Sequence, residues 1–164
     1  MDAPVRACIG LGGNIGDVRA ALRAALAALD ALPGTRLLRA SRVYLTPPWG
    51  REDQPGFLNA AAVLETGLAP AALLEALLAI ERAHGRERTS YGSRWGPRTL
   101  DLDLLLHGDA VVDAPGLVLP HPQMHARAFV LVPLAEIAPD AEVPGRGRVA
   151  DLLAAVDASD IRPA

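Results

Sequence analysis

The sequence contains no lysine, and all sixteen of its basic residues are arginines. A P-loop requires a lysine that reaches the nucleotide phosphates, protein kinases require a strand lysine, and Schiff-base enzymes require a lysine amine. The absence of lysine excludes these three classes. Any phosphate that this protein handles must therefore be bound by arginine, by backbone N–H groups or by a metal ion.

Cysteine, aromatic residues and long apolar runs are also scarce. The single cysteine, Cys8, cannot form an internal disulfide, and its apolar setting predicts a buried thiol in a reducing compartment. With two Phe, two Trp, two Tyr and a net charge of −3, the chain lacks the aromatic, basic surface of a single-stranded RNA-binding sheet. No apolar run reaches the ~20 residues that span a bilayer, and the N-terminus lacks the features of a signal peptide. We therefore expect a cytoplasmic protein without a nucleic-acid or membrane partner.

The length of 164 residues, 51% of them hydrophobic, predicts one domain over residues 1–164 that buries its own core. Apolar patterning predicts strands at residues 5–11, 36–46, 57–66 and 100–107. Residues 12–17 are predicted to form a turn, and Asp17 to cap a helix that Pro33-Gly34 ends. Further helices are predicted from Pro70, over 125–138 with an interruption at Pro133, and over 149–157. Since several strands follow one another without a helix between them, we expect an α+β sheet covered by helices.

The strongest local signal is the pair Asp101 and Asp103 in the predicted strand at residues 100–107. Alternate side chains of a strand share a face, so the two carboxylates project together, about 7 Å apart, while Leu100, Leu102 and Leu104 face the core. Like charges at this distance repel, and a divalent cation completed by substrate phosphates is one arrangement that stabilises them. A solvated strand face with two ordinary aspartates is the alternative.

The segment before this strand, residues 85–99, is rich in arginine and glycine. Such a segment beside an acidic pair is typical of a lid that delivers arginine to a polyphosphate, although a solvated loop has the same composition. His121 stands between two prolines and can donate a hydrogen bond to phosphate or serve a structural role. Near residue 50, the aromatic rings of Trp49 and Phe57, with a side-chain amide from the stretch that holds Gln54 and Asn59, suit a flat heterocycle; a core aromatic beside a turn is the alternative.

Five sequence blocks in this order resemble the 6-hydroxymethyl-7,8-dihydropterin pyrophosphokinase family of folate biosynthesis. The blocks are Gly10-Leu11-Gly12-Gly13-Asn14, Thr46-Pro47-Pro48, Gln54-Pro55 with Phe57-Leu58-Asn59-Ala60, Arg94-Trp95-Gly96-Pro97-Arg98-Thr99-Leu100-Asp101-Leu102-Asp103, and Pro120-His121-Pro122. The resemblance implies a ferredoxin-like, mostly antiparallel α+β sandwich that acts as a monomer. It also implies transfer of the β,γ-pyrophosphoryl group of ATP to the hydroxymethyl group of the dihydropterin, with release of AMP and with two Mg²⁺ ions on the phosphates.

The resemblance also implies a role for individual residues. Asp101 and Asp103 match the metal ligands, and with Arg86 and Arg98 they match the catalytic residues. Residues that match the pterin pocket are Thr46, Pro47, Trp49, Phe57, Asn59, Trp95 and Phe129. Residues that match ATP contacts are Leu74, Glu81, Arg88, Trp95, Arg98, Leu104, His121 and Arg127.

Without the family resemblance, the residues themselves leave two other functions open. A metal-dependent nucleotidyltransferase or phosphohydrolase also uses an Asp-x-Asp pair. A single-stranded RNA-binding module also uses a ferredoxin-like sheet, although the aromatic content and net charge disfavour it.

Overall fold

The computed structural model describes residues 3–47, 56–84 and 100–164. Its elements in chain order are β1 (Val5–Gly13), α1 (Val18–Asp30), β2 (Thr35–Ala40), β3 (Tyr44–Thr46), β4 (Phe57–Thr66), α2 (Pro70–His84), β5 (Asp101–His107), β6 (Val112–Ala114), β7 (Leu117–Leu119), a 3₁₀ turn (Met124–Ala126), α3 (Ala128–Ile137), β8 (Glu142–Val143), β9 (Gly147–Arg148), α4 (Val149–Ala154) and β10 (Arg162–Pro163).

The main sheet is antiparallel at every pairing among the described strands. Strand β5 lies beside β1, β1 beside β4, and β4 pairs on its far side with both β2 and β3, while β10 pairs with the outer edge of β3. The order strand–helix–strand, strand–helix–strand with this spatial arrangement is the ferredoxin-like α+β fold. The fold class that the sequence predicted is confirmed.

Helices α1 and α2 cover one face of the sheet and enclose a first core. Asp17 caps α1 as predicted, with its side chain accepting a hydrogen bond from the Ala20 N–H at 3.1 Å. From β5 this core takes Leu102 and Leu104, and Leu100 just before the strand joins them, as the alternation predicted. Strand β5 is buried on both faces beyond Asp103, because helices also cover the other side.

Helices α3 and α4 cover the opposite face and enclose a second core. Cys8, Ala61, Leu105 and Leu106 contribute to it from the sheet. The predicted interruption at Pro133 is wrong, because α3 runs unbroken from Ala128 to Ile137. A proline removes one helical N–H, and the packing of the buried Pro133 ring and its apolar neighbours against the second core outweighs that loss.

Several predicted boundaries also differ from the structure. Strand β1 continues through Gly12 and Gly13, which were predicted to be in a turn, because both pair with β4. The predicted strand at 36–46 is divided into β2 and β3, and α1 and α4 end earlier than predicted, at Asp30 and Ala154. None of the described helices combines the length and the apolar character that a bilayer crossing requires.

Candidate active site

The acidic pair lies on the face of β5 that is turned toward α3. Asp101 and Asp103 are half-buried, and they alternate with the buried Leu102 and Leu104 of the first core. Both carboxylates therefore project from one face, as the sequence predicted. Their oxygens are hard donors of the kind that Mg²⁺ prefers.

A glycine of β1 separates this pair from a polar side chain on the next strand. Gly12 stands opposite Asp101 on one side and opposite Asn59 of β4 on the other. Directly opposed residues share a face, so Asp101 and Asn59 lie on the same surface, two strand spacings or roughly 10 Å apart. Gly12 contributes no side chain between them, and the Asn59 amide extends over it.

Gly12 is required here because the Asn59 side chain occupies the space above it. A Cβ atom added to Gly12 would lie 2.4 Å from Asn59 Oδ1 and 3.3 Å from the Leu58 carbonyl oxygen. The neighbouring Gly10 is different, since its added Cβ would meet Leu105 at an ordinary 3.5 Å. Sequence reasoning missed this role of Gly12 because the Gly-Gly-Asn cluster resembled a turn, although Gly-x-Gly at strand spacing was the available signal.

The pairing of β3 with β4 extends the same surface. Tyr44 stands opposite Asn59, and Thr46 opposite Phe57. Phe57 is 44% exposed although it is a large apolar residue, and Pro47 is half-buried. Within the part of the chain that the structure describes, the buried Thr46 Oγ1 has no hydrogen-bond partner. An unpaired buried hydroxyl is costly, so this atom is suited to pair with a ligand.

A polar network that sequence reasoning did not find joins β3 to α3. The Tyr44 hydroxyl donates to Glu136 Oε1 at 2.6 Å, and Arg42 Nε lies 3.3 Å from the same oxygen. The pKa of Tyr44 is raised, first by burial and then by its hydrogen bond to Glu136. Burial raises the pKa of Glu136, but its hydrogen bonds with Tyr44 and Arg42 outweigh this and lower it. The network fixes β3, and with it Thr46, against the helix.

The segment before α3 brings His121 to the acidic pair. The His121 N–H donates to the Leu105 carbonyl of β5 at 2.9 Å, and His121 Nδ1 accepts from the Gln123 N–H at 3.2 Å. The pKa of His121 lies below its usual value, mainly because the ring is partly buried and also because of the Arg127 charge, while the Asp101 charge opposes the shift. A neutral ring that accepts at Nδ1 carries its proton on Nε2, where it can donate to an anion.

Arg127 and Phe129 lie at the start of α3. The Arg127 guanidinium carbon is 5.6 Å from the centroid of the Phe129 ring, and an Arg127 nitrogen donates to Gln123 Oε1. This cation–π contact and hydrogen bond hold the guanidinium beside an aromatic ring. Positive charge and an aromatic surface therefore meet on the side of the sheet that carries Asp101 and Asp103.

Three residues that the family resemblance assigns to ATP lie on the face of the sheet covered by α1 and α2, not on the face that carries Asp101 and Asp103. Glu81 is 3% exposed, and its Oε2 accepts a hydrogen bond from the Leu102 N–H at 2.7 Å. Leu104 is buried in the first core, and Leu74 is half-buried on α2. The structure does not bring Glu81 and Leu104 onto the face of Asp101 and Asp103, and their assignment to ATP stays a prediction.

The remaining predicted site residues, Trp49, Arg86, Arg88, Trp95 and Arg98, lie outside the described residues. Among the residues in ranges 3–47, 56–84 and 100–164, no group of three or more His, Cys, Asp or Glu side chains is arranged to hold a metal ion. Mg²⁺ in proteins is commonly bound by one or two carboxylates together with substrate phosphates and water.

Comparison with known proteins adds independent evidence. The family model described as 7,8-dihydro-6-hydroxymethylpterin-pyrophosphokinase (HPPK) matches residues 8–139. The proteins named 2-amino-4-hydroxy-6-hydroxymethyldihydropteridine pyrophosphokinase from Pseudomonas aeruginosa and Methylorubrum extorquens are similar to this chain. The first is 50% identical and covers 92% of this chain and 91% of its own length. The second is 51% identical and covers 95% of this chain and 96% of its own length.

A solved structure supports the fold. The crystal structure of wild-type Plasmodium falciparum HPPK-DHPS with pteroate matches 94% of this chain with a TM-score of 0.75. The sequence identity is 13%, so this likeness concerns the fold alone. This chain spans 45% of that longer chain.

Proposed function

Because this chain belongs to the 7,8-dihydro-6-hydroxymethylpterin-pyrophosphokinase family, we propose that it transfers the β,γ-pyrophosphoryl group of ATP to the hydroxymethyl group of 6-hydroxymethyl-7,8-dihydropterin and releases AMP. Such a reaction needs an anchor for the metal–triphosphate and a separate pocket for a flat heterocycle, with the acceptor oxygen in line with the transferred phosphorus.

The observation that carries this proposal is the row across the sheet from Asp101 through Gly12 to Asn59. Its two ends carry different chemistry, with a hard-oxygen pair at one end and an amide at the other. Gly12 adds no side chain between them and the Asn59 amide extends over it, so a heterocycle bound by this amide would lie beside a phosphate held at the acidic pair.

We propose that Asp101 and Asp103 hold two Mg²⁺ ions together with the ATP phosphates. Two carboxylates on one strand face fit this role, since phosphate oxygens and water complete the coordination of Mg²⁺ in such sites. Bound Mg²⁺ would neutralise part of the triphosphate charge and fix its geometry. Bound cations would also relieve the repulsion between the two carboxylates, which strand alternation places on one face.

The phosphate side of the site is completed by donors around α3. In our proposal the Nε2–H of the neutral His121 and the guanidinium of Arg127 donate to ATP phosphate oxygens. Arg86 and Arg98 are proposed to stabilise the charge that builds as the bond to AMP breaks, since phosphoryl-type transfer depends on positioning and electrostatics. In the family pattern Arg88, Trp95, Leu74, Glu81 and Leu104 are ATP positions as well.

The pterin side of the site is built from β3 and β4. The Asn59 amide is proposed to read the polar edge of the heterocycle, and the unpaired Thr46 Oγ1 to add a further hydrogen bond. The exposed Phe57 and the half-buried Phe129 offer ring faces for stacking. Pro47, Trp49 and Trp95 belong to this pocket in the family pattern.

The experiment that tests this function is an assay with ATP, Mg²⁺ and 6-hydroxymethyl-7,8-dihydropterin in which AMP and pyrophosphorylated pterin are separated by chromatography. We expect one AMP per pyrophosphorylated pterin. Asp103→Ala is expected to abolish turnover because the metal loses an anchor, whereas Asp113→Ala, an exposed aspartate of β6, serves as the matched control. Near-normal turnover by Asp103→Ala would contradict the proposed metal site.

The same assay distinguishes the proposed pyrophosphoryl transfer from the rival enzyme activity. A metal-dependent nucleotidyltransferase or phosphohydrolase built on the acidic pair would release free pyrophosphate or phosphate. Release of free pyrophosphate or phosphate from ATP in the absence of the pterin would favour that rival.

We further infer that one domain of one chain forms the site and that it acts in the cytoplasm. Among the described residues, the acidic pair, Asn59, Thr46 and Phe57 lie on one sheet, and His121, Arg127 and Phe129 lie beside the same face, so one chain can supply both ends of the proposed site. The buried free thiol of Cys8 is compatible with a reducing compartment. Light scattering during size-exclusion chromatography tests the oligomeric state, and a dimer whose dissociation abolishes activity would contradict it.

A further inference from the structure

Strand β5 carries the acidic pair although it stands at the end of the sheet. Its one hydrogen-bonded strand partner in the described part of the chain is β1, so no described strand pairs with its outer flank. Backbone groups on such a flank need other partners, and a strand held on one side moves more easily than a central strand. Two side chains that must hold a cation within a few tenths of an ångström therefore need a further support for the strand.

The outer flank is supported at the residue between the two aspartates. The Leu102 N–H donates to Glu81 Oε2 of α2 at 2.7 Å, and this bond is buried. Glu81 itself is only 3% exposed, which is rare for a carboxylate and is stable only when hydrogen bonds compensate the loss of water. The hydrogen bond from the Leu102 N–H supplies part of that compensation.

Glu81 does not belong to the donor set of the acidic pair. It belongs to α2, which packs on the face of the sheet opposite to the side chains of Asp101 and Asp103. Although Glu81, Asp101 and Asp103 are all described, they do not form a three-carboxylate cluster that could hold a metal ion. The carboxylate can therefore act on the acidic pair through the backbone of Leu102.

We propose that Glu81 is a positioning residue, whose buried carboxylate fixes the Leu102 amide and thereby sets the relative placement of the Asp101 and Asp103 carboxylates for magnesium–nucleotide binding. This inference rests on the proposed metal site. It assigns to Glu81 a geometric role in which the reach of the side chain and its acceptor oxygen matter more than its charge.

Two conservative substitutions separate geometry from charge. Glu81→Gln keeps the length and an acceptor oxygen but loses the charge, whereas Glu81→Asp keeps the charge but is shorter by one methylene. The matched controls are Glu75→Gln and Glu75→Asp at an exposed position of the same helix. Calorimetry measures the affinity of a non-hydrolysable ATP analogue for each protein, once with Mg²⁺ and once with a chelator.

If Glu81 positions the pair, Glu81→Asp weakens Mg²⁺-dependent binding about tenfold or more, as expected for a support of a metal ligand, and leaves binding in the chelator unchanged. Glu81→Gln loses much less, and both Glu75 variants bind like the wild type. A loss in Glu81→Gln as large as that in Glu81→Asp, or no loss in either, overturns the proposal. Equal losses with and without Mg²⁺ overturn it as well, because they indicate direct contact with the nucleotide.

Amide hydrogen exchange at Leu102 gives a readout that is independent of nucleotide. We expect slow exchange in the wild type and Glu81→Gln, and faster exchange in Glu81→Asp with the other β5 amides unchanged. Fast exchange at Leu102 in the wild type would overturn the inference. If the wild type shows no Mg²⁺-dependent binding at all, the proposed metal site itself is wrong. If the wild type binds in a Mg²⁺-dependent way and the Glu81 variants bind equally well, only the role of Glu81 is wrong.

Discussion

Replacing Gly12 by alanine tests the geometry of the row that joins the acidic pair to Asn59. The new Cβ atom would lie 2.4 Å from Asn59 Oδ1, whereas Cβ atoms essentially never approach another heavy atom within 3.0 Å. The atom that must yield is the end of a side chain, so we expect the Asn59 amide to move and the strands to stay paired. The substitution should therefore affect recognition of the pterin more than folding.

The magnitude follows from the hydrogen bonds that the displaced amide loses. Two bonds to the heterocycle at about 0.5–1.5 kcal/mol each correspond to roughly 1–3 kcal/mol, or about a 5- to 150-fold rise in the KM for the pterin. The KM for ATP should change little, because the acidic pair and His121 keep their places. The free energy of unfolding should fall by at most about 1–3 kcal/mol, the usual cost of an extra methyl group in a packed site.

Steady-state kinetics with AMP as the measured product give both KM values. Gly10→Ala is the matched control on the same strand, since its Cβ meets Leu105 at an ordinary 3.5 Å. Asn59→Ala and the double variant Gly12→Ala/Asn59→Ala complete a cycle, and the double variant should lose little more than Asn59→Ala alone. An unchanged pterin KM in Gly12→Ala, or full additivity in the cycle, would refute the reasoning.

Two further predictions concern the fold around the site. Tyr44→Phe removes the 2.6 Å bond to Glu136, which is still partnered by Arg42, so we expect the free energy of unfolding in urea to fall by about 1 kcal/mol; an unchanged midpoint would contradict this. Burial raises the pKa of Cys8 to about 12, so Ellman's reagent should not label the native protein at pH 8 but should label it in guanidinium. Rapid labelling of the native protein would contradict burial of the thiol. Because the unfolded thiol ionises near 9.0, the native state binds its proton more tightly, and the free energy of unfolding should fall as the pH rises from about 9 toward 12.

The sequence predicted well those features that follow from short-range periodicity. The alternation of Asp101, Leu102, Asp103 and Leu104 was sufficient to place two carboxylates on one face and two leucines in the core, because strand geometry has a fixed period of two. The Asp17 cap was likewise readable, since its hydrogen bond joins residues three apart.

Features that depend on residues far apart in the chain could not be predicted from the sequence. Gly12 was assigned to a turn because a glycine's local preference says nothing of an amide 47 positions away on β4. Pro133 was read as a helix break because its burial depends on the second core, which forms only when the chain is folded. The bond from Leu102 to Glu81 joins two elements whose pairing no local pattern encodes.

Substitutions in the two cores on either side of the sheet are expected to have different consequences. On the layer under α1 and α2, substitutions act mainly through packing, except at the predicted ATP positions Leu74, Glu81 and Leu104. A designer who wants a more heat-tolerant version can repack that layer as long as Leu74, Glu81 and Leu104 are retained, and expect substrate preference to survive. The layer under α3 offers no such freedom, since the helix that closes its core also carries Arg127 and Phe129 at its start.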